Sequence, residues 1–203
     1  NRPGHAVVIG GGFIGVEMTE NLVHRGVAVT LVDAAEQVML TLDYEMAADI
    51  HNHIRSKGVQ LVLKDGVKSF AEKSGKLLVE LSSGRVVETD MVILSIGVKP
   101  ESQLARGAGL DLAQNGAIIV DEYMRTSDHS IYAVGDAVAM EHPVLKRKVS
   151  AFLAGPANKQ ARIAADNVVY GDTRKYKGAI GTSIAKIFDM TVASTGLSER
   201  VLA

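Results

Sequence analysis

Short apolar runs alternate with stretches of helical period along the first part of the chain. Residues 6–9, Ala-Val-Val-Ile, form a continuous apolar run suited to a strand covered on both faces. The spacing then lengthens to Ile14, Met18 and Leu22, one face of a helix that the turn His24-Arg25-Gly26 ends. Residues 27–32 read as a second strand. Asp43 is placed to cap a second helix running to about Lys57, with Met46, Ala47, Ile50 and Ile54 on its inner face. Gly58 ends that helix, and residues 59–63 form a third strand. The order β-α-β-α-β predicts an α/β fold, the Rossmann-like half-unit of a doubly wound parallel sheet. From Gly66 to Asp90 the period drops to two: Leu77, Val79 and Leu81 alternate with more polar positions, and Ser83-Gly84 turns the chain back. This predicts a small antiparallel meander inserted before a last buried strand at 91–96.

Beyond Gly97 the pattern is looser. A short helix is expected at 103–108, and strands at 117–120 and 130–134, the second leading into Gly135-Asp136. A polar loop over 141–150 holds Lys146-Arg147-Lys148, which reads as a solvated run. A third helix spans 154–169, with Ala154, Ala157, Ala161, Ala164, Ala165 and Val168 as its packing face. Residues 179–195 read as two strands around Asp189-Met190, and Ser198 as the cap of a further helix.

The first strand and helix are joined by Gly10-Gly11-Gly12-Phe13-Ile14-Gly15, a G-x-G-x-x-G. Gly10 permits a tight strand-to-helix turn, Gly12 removes a side chain where a pyrophosphate approaches, and Gly15 lets the helix pack close to the strand. The helix N-terminus offers free N–H groups and positive dipole to that pyrophosphate. Asp33 ends the second strand about 20 residues on, placed to accept from a ribose diol. The sequence around it, Ala34 to Met39, holds no Arg or Lys for a 2′-phosphate, so NADH is expected over NADPH. His51 and His53 lie two apart on a helix and share no face, so they read as solvated rather than as metal ligands.

Among 203 residues, 47% are hydrophobic and only 4% aromatic, so the core is built from aliphatic side chains. A net charge of −1 gives no basic field to attract nucleic acid or an anionic membrane. The absence of cysteine excludes disulfides and a cysteine nucleophile within this chain. These features fit a cytoplasmic protein. The chain opens on Asn1 and stops at Ala203, within a turn of the Ser198 cap, and both ends read as cut.

Five blocks resemble the pyridine nucleotide-disulfide oxidoreductase family, in its coenzyme A-disulfide reductase, NADH oxidase and persulfide reductase branch. They are the Gly10 to Glu17 block, Leu94-Ser-Ile-Gly-Val-Lys-Pro100, Thr126-Ser with Ile131-Tyr-Ala-Val-Gly-Asp136, Leu153-Ala-Gly-Pro-Ala-Asn-Lys-Gln160, and Gly181 to Asp189 with Thr195-Gly-Leu-Ser-Glu199. The resemblance implies an NAD(H)-binding domain at 1–115, the second segment of an FAD-binding domain at 116–175, and the start of an α+β dimerisation domain from 176 to 203. It also implies a missing N-terminal FAD segment that carries the redox cysteine, so this chain supplies no catalytic residue and no metal ligand. By the same resemblance Asp136 holds the FAD ribitol and pyrophosphate region with Gly135 giving backbone room, and Leu153 and Ala154 present a helix start to the flavin pyrimidine. Phe13 stands where many members carry a tyrosine covering the flavin, Glu17 matches an acid near the nicotinamide amide, and Ile14, Ile96 and Gly97 belong to the NAD contacts. Ser150-Ala151-Phe152 replaces a proline-containing lead-in, and Ala161 a glycine. The implied activity passes hydride from NADH to FAD and on to a cysteine-based centre, with a disulfide, persulfide or oxygen as acceptor, in a homodimer. Two other readings stay open on the residues: a nucleotide-binding module without turnover, and a flavin-free NAD-dependent dehydrogenase. Residues 1–115 are expected to fold alone and 116–175 to bury too little by themselves, leaving 116–203 poorly ordered or held by contacts to another copy.

Overall fold

The computed structural model describes residues 3–202. They form two compact units. The first comprises the residues up to Gly97 together with Ile184–Ala193 and the stretch from Ser198; the second comprises Val98–Ser183 and Ser194–Leu197.

The first unit is built on β1 (His5–Ile9), α1 (Phe13–His24), β2 (Ala28–Val32), α2 (Tyr44–Ser56), β3 (Gln60–Val62) and β7 (Met91–Leu94), with β4 (Val67–Lys73), β5 (Lys76–Leu81) and β6 (Val86–Thr89) between β3 and β7. The main sheet has the order β3-β2-β1-β7 and is parallel throughout; β4-β5-β6 is a separate antiparallel sheet. The register Val7↔Thr30 and Val7↔Val92 centres β1 in the sheet, and Ala6, Val7 and Val8 are fully buried. A chain that winds outward from β1 to β3 and then returns to β1's other side reverses its strand order there. Such a point opens a crevice at the carboxyl ends of the strands.

Two helical faces are rotated from the expected ones. On α1 the buried residues are Gly15, Val16, Thr19 and Leu22, and Ile14 is 53% exposed. On α2 they are Ala47, Ile50, His51 and Ile54, an i, i+3, i+4, i+7 set, while Met46 is 63% exposed. His51 is therefore core rather than solvated. Asp43 sits at the N-cap of α2 but its side chain makes no capping bond; its Oδ1 accepts from the Glu199 amide at 2.9 Å, at the start of α5 (Glu199–Leu202). The Ser198 hydroxyl, expected to cap α5, is buried and has no hydrogen-bond partner. β7 stops at Leu94, two residues short of the expected strand, and both Leu94 and Ile96 are exposed.

The first unit's core includes a late piece of chain. β11 (Ser183–Ile187) and β12 (Met190–Ser194) form a hairpin whose residues Ala185, Ile187 and Phe188 pack in one cluster with Leu22, Ile50 and Ile54. Phe188 stands in the two-residue turn with φ +56°, a conformation costly for a bulky side chain. Its ring is held edge-on between His24 at 5.7 Å and His53 at 6.2 Å. Asp189 beside it pairs with Lys57 and lies 3.0 Å from His53 Nε2, off-line for a hydrogen bond. The hairpin residues thus have partners in the first unit's own core.

Asp90 joins the meander to β1. Its Oδ2 accepts from the Gly4 and His5 amides at 2.8 and 3.0 Å, and its Oδ1 pairs with Lys76. The Lys76 ammonium and then the two amides hold its carboxyl down at about 2. A depressed carboxylate stabilises the fold above its ordinary value near 3.8 and loses that contribution as the pH falls through about 2. Asp90→Asn is therefore expected to lower the melting temperature at pH 7 and to lose most of that difference from the wild type at pH 2; thermal melts at the two pH values check this.

The second unit holds α3 (Gln103–Gly107), β8 (Ile118–Ile119), β9 (Val138–Glu141), β10 (Lys148–Val149) and α4 (Ala154–Tyr170), with sheet order β10-β9-β8. The expected strand at 130–134 forms only one bridge, Arg125↔Tyr132. The ladder to β8 is made instead by β9, through Ile118↔Val138. Part of the expected polar loop is β10, and Lys148 Nζ donates to the Val120 carbonyl at 2.8 Å. α4 buries Gln160, Ala164 and Asn167, whereas Ala154, Ala161, Ala165 and Val168 are exposed, so the alanine stripe is not its packing face. Asn167 earns its buried place by four bonds: Nδ2 to the Tyr123 and Arg174 carbonyls, and Oδ1 from the Thr173 and Arg174 amides. No helix among the described residues is long and apolar enough to cross a membrane.

Candidate functional site

The carboxyl ends of β1, β2 and β7 meet in a cleft of about 610 Å³ in the first unit. Gly10, Gly12, Asp33, Ile96 and Gly97 line it, together with Leu40 and, from the meander, Phe70. Its walls are apolar and open: Leu40, Phe70, Leu94 and Ile96 are all exposed, with Ile96 at 73%. Exposed aliphatic and aromatic side chains gathered at a sheet's switch point suit flat heteroaromatic rings.

Each glycine of the turn has a separate reason to be there. Gly10 has φ +102°, and a Cβ on it would lie 2.3 Å from the Ser95 carbonyl oxygen. A Cβ on Gly15 would lie 1.8 Å from the Gly10 carbonyl oxygen, so α1 touches the strand through bare backbone. Gly12, the N-cap of α1, has ordinary extended geometry and nothing within 4 Å of its Cβ position. Space is thus left free in front of the helix N-terminus, whose first amides have no intrahelical acceptor. The cradle fits a pyrophosphate.

Asp33 closes the turn from the other side. Its Oδ2 accepts from the Gly11 amide at 2.6 Å and its Oδ1 from the Ala35 amide at 2.7 Å. Both bonds fix the carboxylate at the rim, and each oxygen retains a lone pair for a further donor. Ser95 was not singled out in the sequence, yet its hydroxyl lies 2.8 Å from the Ile9 carbonyl and 2.9 Å from the Gly10 carbonyl, stitching β7 to the turn. The Leu-Ser-Ile-Gly block was the available signal. Lys68, a cation on the cleft wall, is held by Glu80 at 2.7 Å.

The remaining expected residues fall into two places. Phe13, Ile14, Gly15 and Glu17 lie on α1 outside the cleft lining: Phe13 is half-buried against the core, and Ile14 and Glu17 are exposed. In the second unit Gly135 and Asp136 form a 3-10 turn, Gly135–Ala137, beside α4, with Leu153 at the N-cap of α4 and Ala154 its first residue. Buried Gln160 fixes this turn, its Oε1 accepting from the Gly135 amide at 2.7 Å. A Cβ on Gly135 would meet only Ala157 Cβ at 3.8 Å, an ordinary contact. What demands glycine there is φ +81° rather than backbone room. Asp136 is exposed at the turn, free to face a ligand's hydroxyls. Among the described residues no group of three or more His, Cys, Asp or Glu is placed to hold a metal ion.

The comparisons with known proteins agree on one lineage. The chain is 34% identical over 199 residues to an NAD(P)H sulfur oxidoreductase (CoA-dependent) of Pyrococcus abyssi, covering 98% of this chain and 44% of that protein. The reduced CoADR-RHD of Bacillus anthracis superposes with a TM-score of 0.94 at 53% identity, over 98% of this chain and 36% of that one. The water-forming NADH oxidase of Lactobacillus brevis, solved bound to NADH, gives a TM-score of 0.93 at 36% identity, over 98% and 44%. The chain therefore spans less than half the length of each of these three relatives. The family model for pyridine nucleotide-disulphide oxidoreductases matches residues 1–166, and this chain belongs to that family.

Proposed function

We propose that the cleft binds NADH and that the whole protein passes its hydride to FAD and on to a cysteine-based sulfur centre outside this chain. The observation that carries the reading is the open space at Gly12, bounded by a helix N-terminus on one side and the fixed Asp33 carboxylate on the other. The cradle takes the pyrophosphate, Asp33 the adenosine ribose diol, and Leu40, Phe70, Leu94 and Ile96 the flat rings. Residues 1–115 form the NAD(H) domain, 116–175 the second FAD segment and 176–203 the start of the dimerisation domain.

Bound flavin would supply two-electron transfer from the nicotinamide to a disulfide, persulfide or oxygen acceptor. This chain's part in that is orientation. Gly135 and Asp136 meet the ribitol side, and the α4 start at Leu153 and Ala154 turns its amides toward the pyrimidine, favouring negative charge there. Phe13 and Glu17 belong to the nicotinamide end of α1. The relatives' names support coenzyme A-linked sulfur substrates, and a homodimer follows from the 176–203 assignment.

NADH is expected to bind at least about tenfold more tightly than NADPH, since Asp33 repels a 2′-phosphate and Lys68 is occupied by Glu80. Asp33→Asn removes the charge and leaves one oxygen for two amides, so both nucleotides weaken and their ratio narrows. Calorimetric titration of each nucleotide checks this; equal NADPH affinity in the wild type would sink the reading of Asp33.

A further inference from the structure

One buried titratable group in the first unit has no place in the proposed chemistry. His51 is 4% exposed on α2, and its Nε2 accepts a hydrogen bond from the Val38 amide at 3.1 Å. An amide can only donate, so Nε2 carries no proton and the neutral ring holds its proton on Nδ1. Val38 belongs to the loop of residues 34–42, which runs from Asp33 to the start of α2 and has no regular structure.

That loop is one wall of the cleft and is tightly specified. Val38 is fully buried, and its Cγ1 lies so close to Gly11 that a Cβ there would sit 2.8 Å from it. The next residue, Met39, is buried at φ +50°, a left-handed conformation that needs outside support, and its amide donates to the Gly11 carbonyl at 2.8 Å. The Gly11 amide in turn donates to Asp33 Oδ2, and Leu40 lines the cleft. Gln37, also buried, ties the loop to itself through its Nε2 on the Leu42 carbonyl at 2.9 Å. His51 is the loop's hydrogen bond to α2.

We propose that His51 is a positioning residue for nucleotide recognition: its neutral imidazole holds residues 34–42 against the glycine turn, and protonation of that ring releases the loop and weakens nucleotide binding. Protonated Nε2 becomes a donor facing a donor, so the Val38 amide would be left buried without an acceptor. The groups acting on the ring are few. Arg55 lies on the same helix, the Tyr44 ring stands edge-on at 6.2 Å, and from the loop the facing group is the Val38 amide. Burial first and then the Arg55 charge hold His51 below its usual value, so the neutral form persists at physiological pH. Its contribution is present above about pH 6.5 and is lost as the pH falls through the lowered value in the folded state. The affinity half of this proposal rests on the nucleotide reading of the cleft; the loop half does not.

The test uses the full chain without nucleotide and then with NAD⁺ as the probe. Proton–nitrogen NMR should find His51 Nε2 unprotonated at pH 7.5, and the Val38 amide should move on acidification with the midpoint of the His51 ring. NAD⁺ affinity should fall about tenfold from pH 7.5 to a pH below the His51 midpoint found by NMR, the change that one lost buried hydrogen bond spans. In His51→Gln the amide oxygen accepts at all pH values, so affinity should vary less than about twofold over that interval. His51→Leu should bind weakly throughout. A protonated Nε2 at pH 7.5, a Val38 amide that ignores the ring, or a His51→Gln profile that tracks the wild type would overturn the proposal. Coupled Val38 and His51 titrations with no NAD⁺ binding at any pH would support the loop link and overturn the nucleotide reading.

Discussion

Gly12→Val is expected to leave the fold intact and weaken NADH binding by at least about a hundredfold, while Gly15→Ala, a smaller change three residues on, strongly destabilises the first unit. The contrast follows from what each added atom meets. Gly12 has φ −72° and ψ −174°, which valine adopts readily, and its Cβ would stand in open space. Exchanging an N-cap glycine for valine costs the helix about 1 kcal/mol. The loss would come on ligand binding, because the isopropyl group fills the pyrophosphate's place. At Gly15 the new atom would lie 1.8 Å from the Gly10 carbonyl oxygen and 2.7 Å from Ser95 Oγ. The first of these is backbone, and no rotamer change relieves it. Helix α1 would have to lift off β1, giving up contacts of Val16 and Leu22, at a cost of about 3 kcal/mol or more. Thermal melts and NADH titration on both variants separate the two effects. A folded Gly12→Val chain with normal affinity would show that the pyrophosphate does not lie there.

The second large effect is expected far along the chain. Ile187→Ala should destabilise the nucleotide unit by about 2–5 kcal/mol, and ending the chain at 115 should destabilise it further. Ile187 is fully buried in the cluster that holds Leu22, Ile50 and Ile54, and Ala185 and Phe188 share it. Truncation at 115 strips all three and exposes the α1 and α2 faces beneath. The sequence suggested that 1–115 folds by itself, since it contains every strand of the parallel sheet. The structure puts the cover of its helices on the β11–β12 hairpin. Denaturant melts followed through NADH binding check the point: an unchanged midpoint in Ile187→Ala would mean that the hairpin does not support the nucleotide unit.

The nucleotide turn was legible because its signals are local. A strand, three glycines, a helix and an acid occur in fixed order, and each residue's role depends on neighbours within about 30 positions. Burial depends on distant partners and was read less well. Ile14 was placed on the packing face because it is apolar; the structure leaves it exposed at the helix start, one turn from the cleft glycines. His51 was weighed as a metal ligand and dismissed by spacing, but nothing in its own sequence shows that Val38 will present it with an amide. In the second unit the sequence predicts a strand at 130–134 and none at 138–141. Yet the first is held by single bonds, such as the Ala133 amide to the Met124 carbonyl at 3.1 Å, and the second makes the ladder. The positive-φ turn at Gly135 separates the two segments, and both pack in one cluster with Met124 and Ala164, so apolar character alone does not tell which of them pairs with β8. The face of α4 was misread for a similar reason: its buried positions carry glutamine and asparagine, whose bonding partners lie elsewhere in the chain.

The return of the chain at Ile184 has a consequence for synthesis. Ile54 and Ile187 belong to one core but are 133 positions apart in the sequence. At about 5–20 residues per second, a ribosome takes on the order of ten seconds or more to reach the second after the first. During that interval the sheet and its two helices can assemble, with Leu22, Ile50 and Ile54 still facing water. A nascent chain in that state displays an apolar surface that only its own later residues cover, and holdase chaperones should bind it most strongly between the emergence of α2 and that of Phe188.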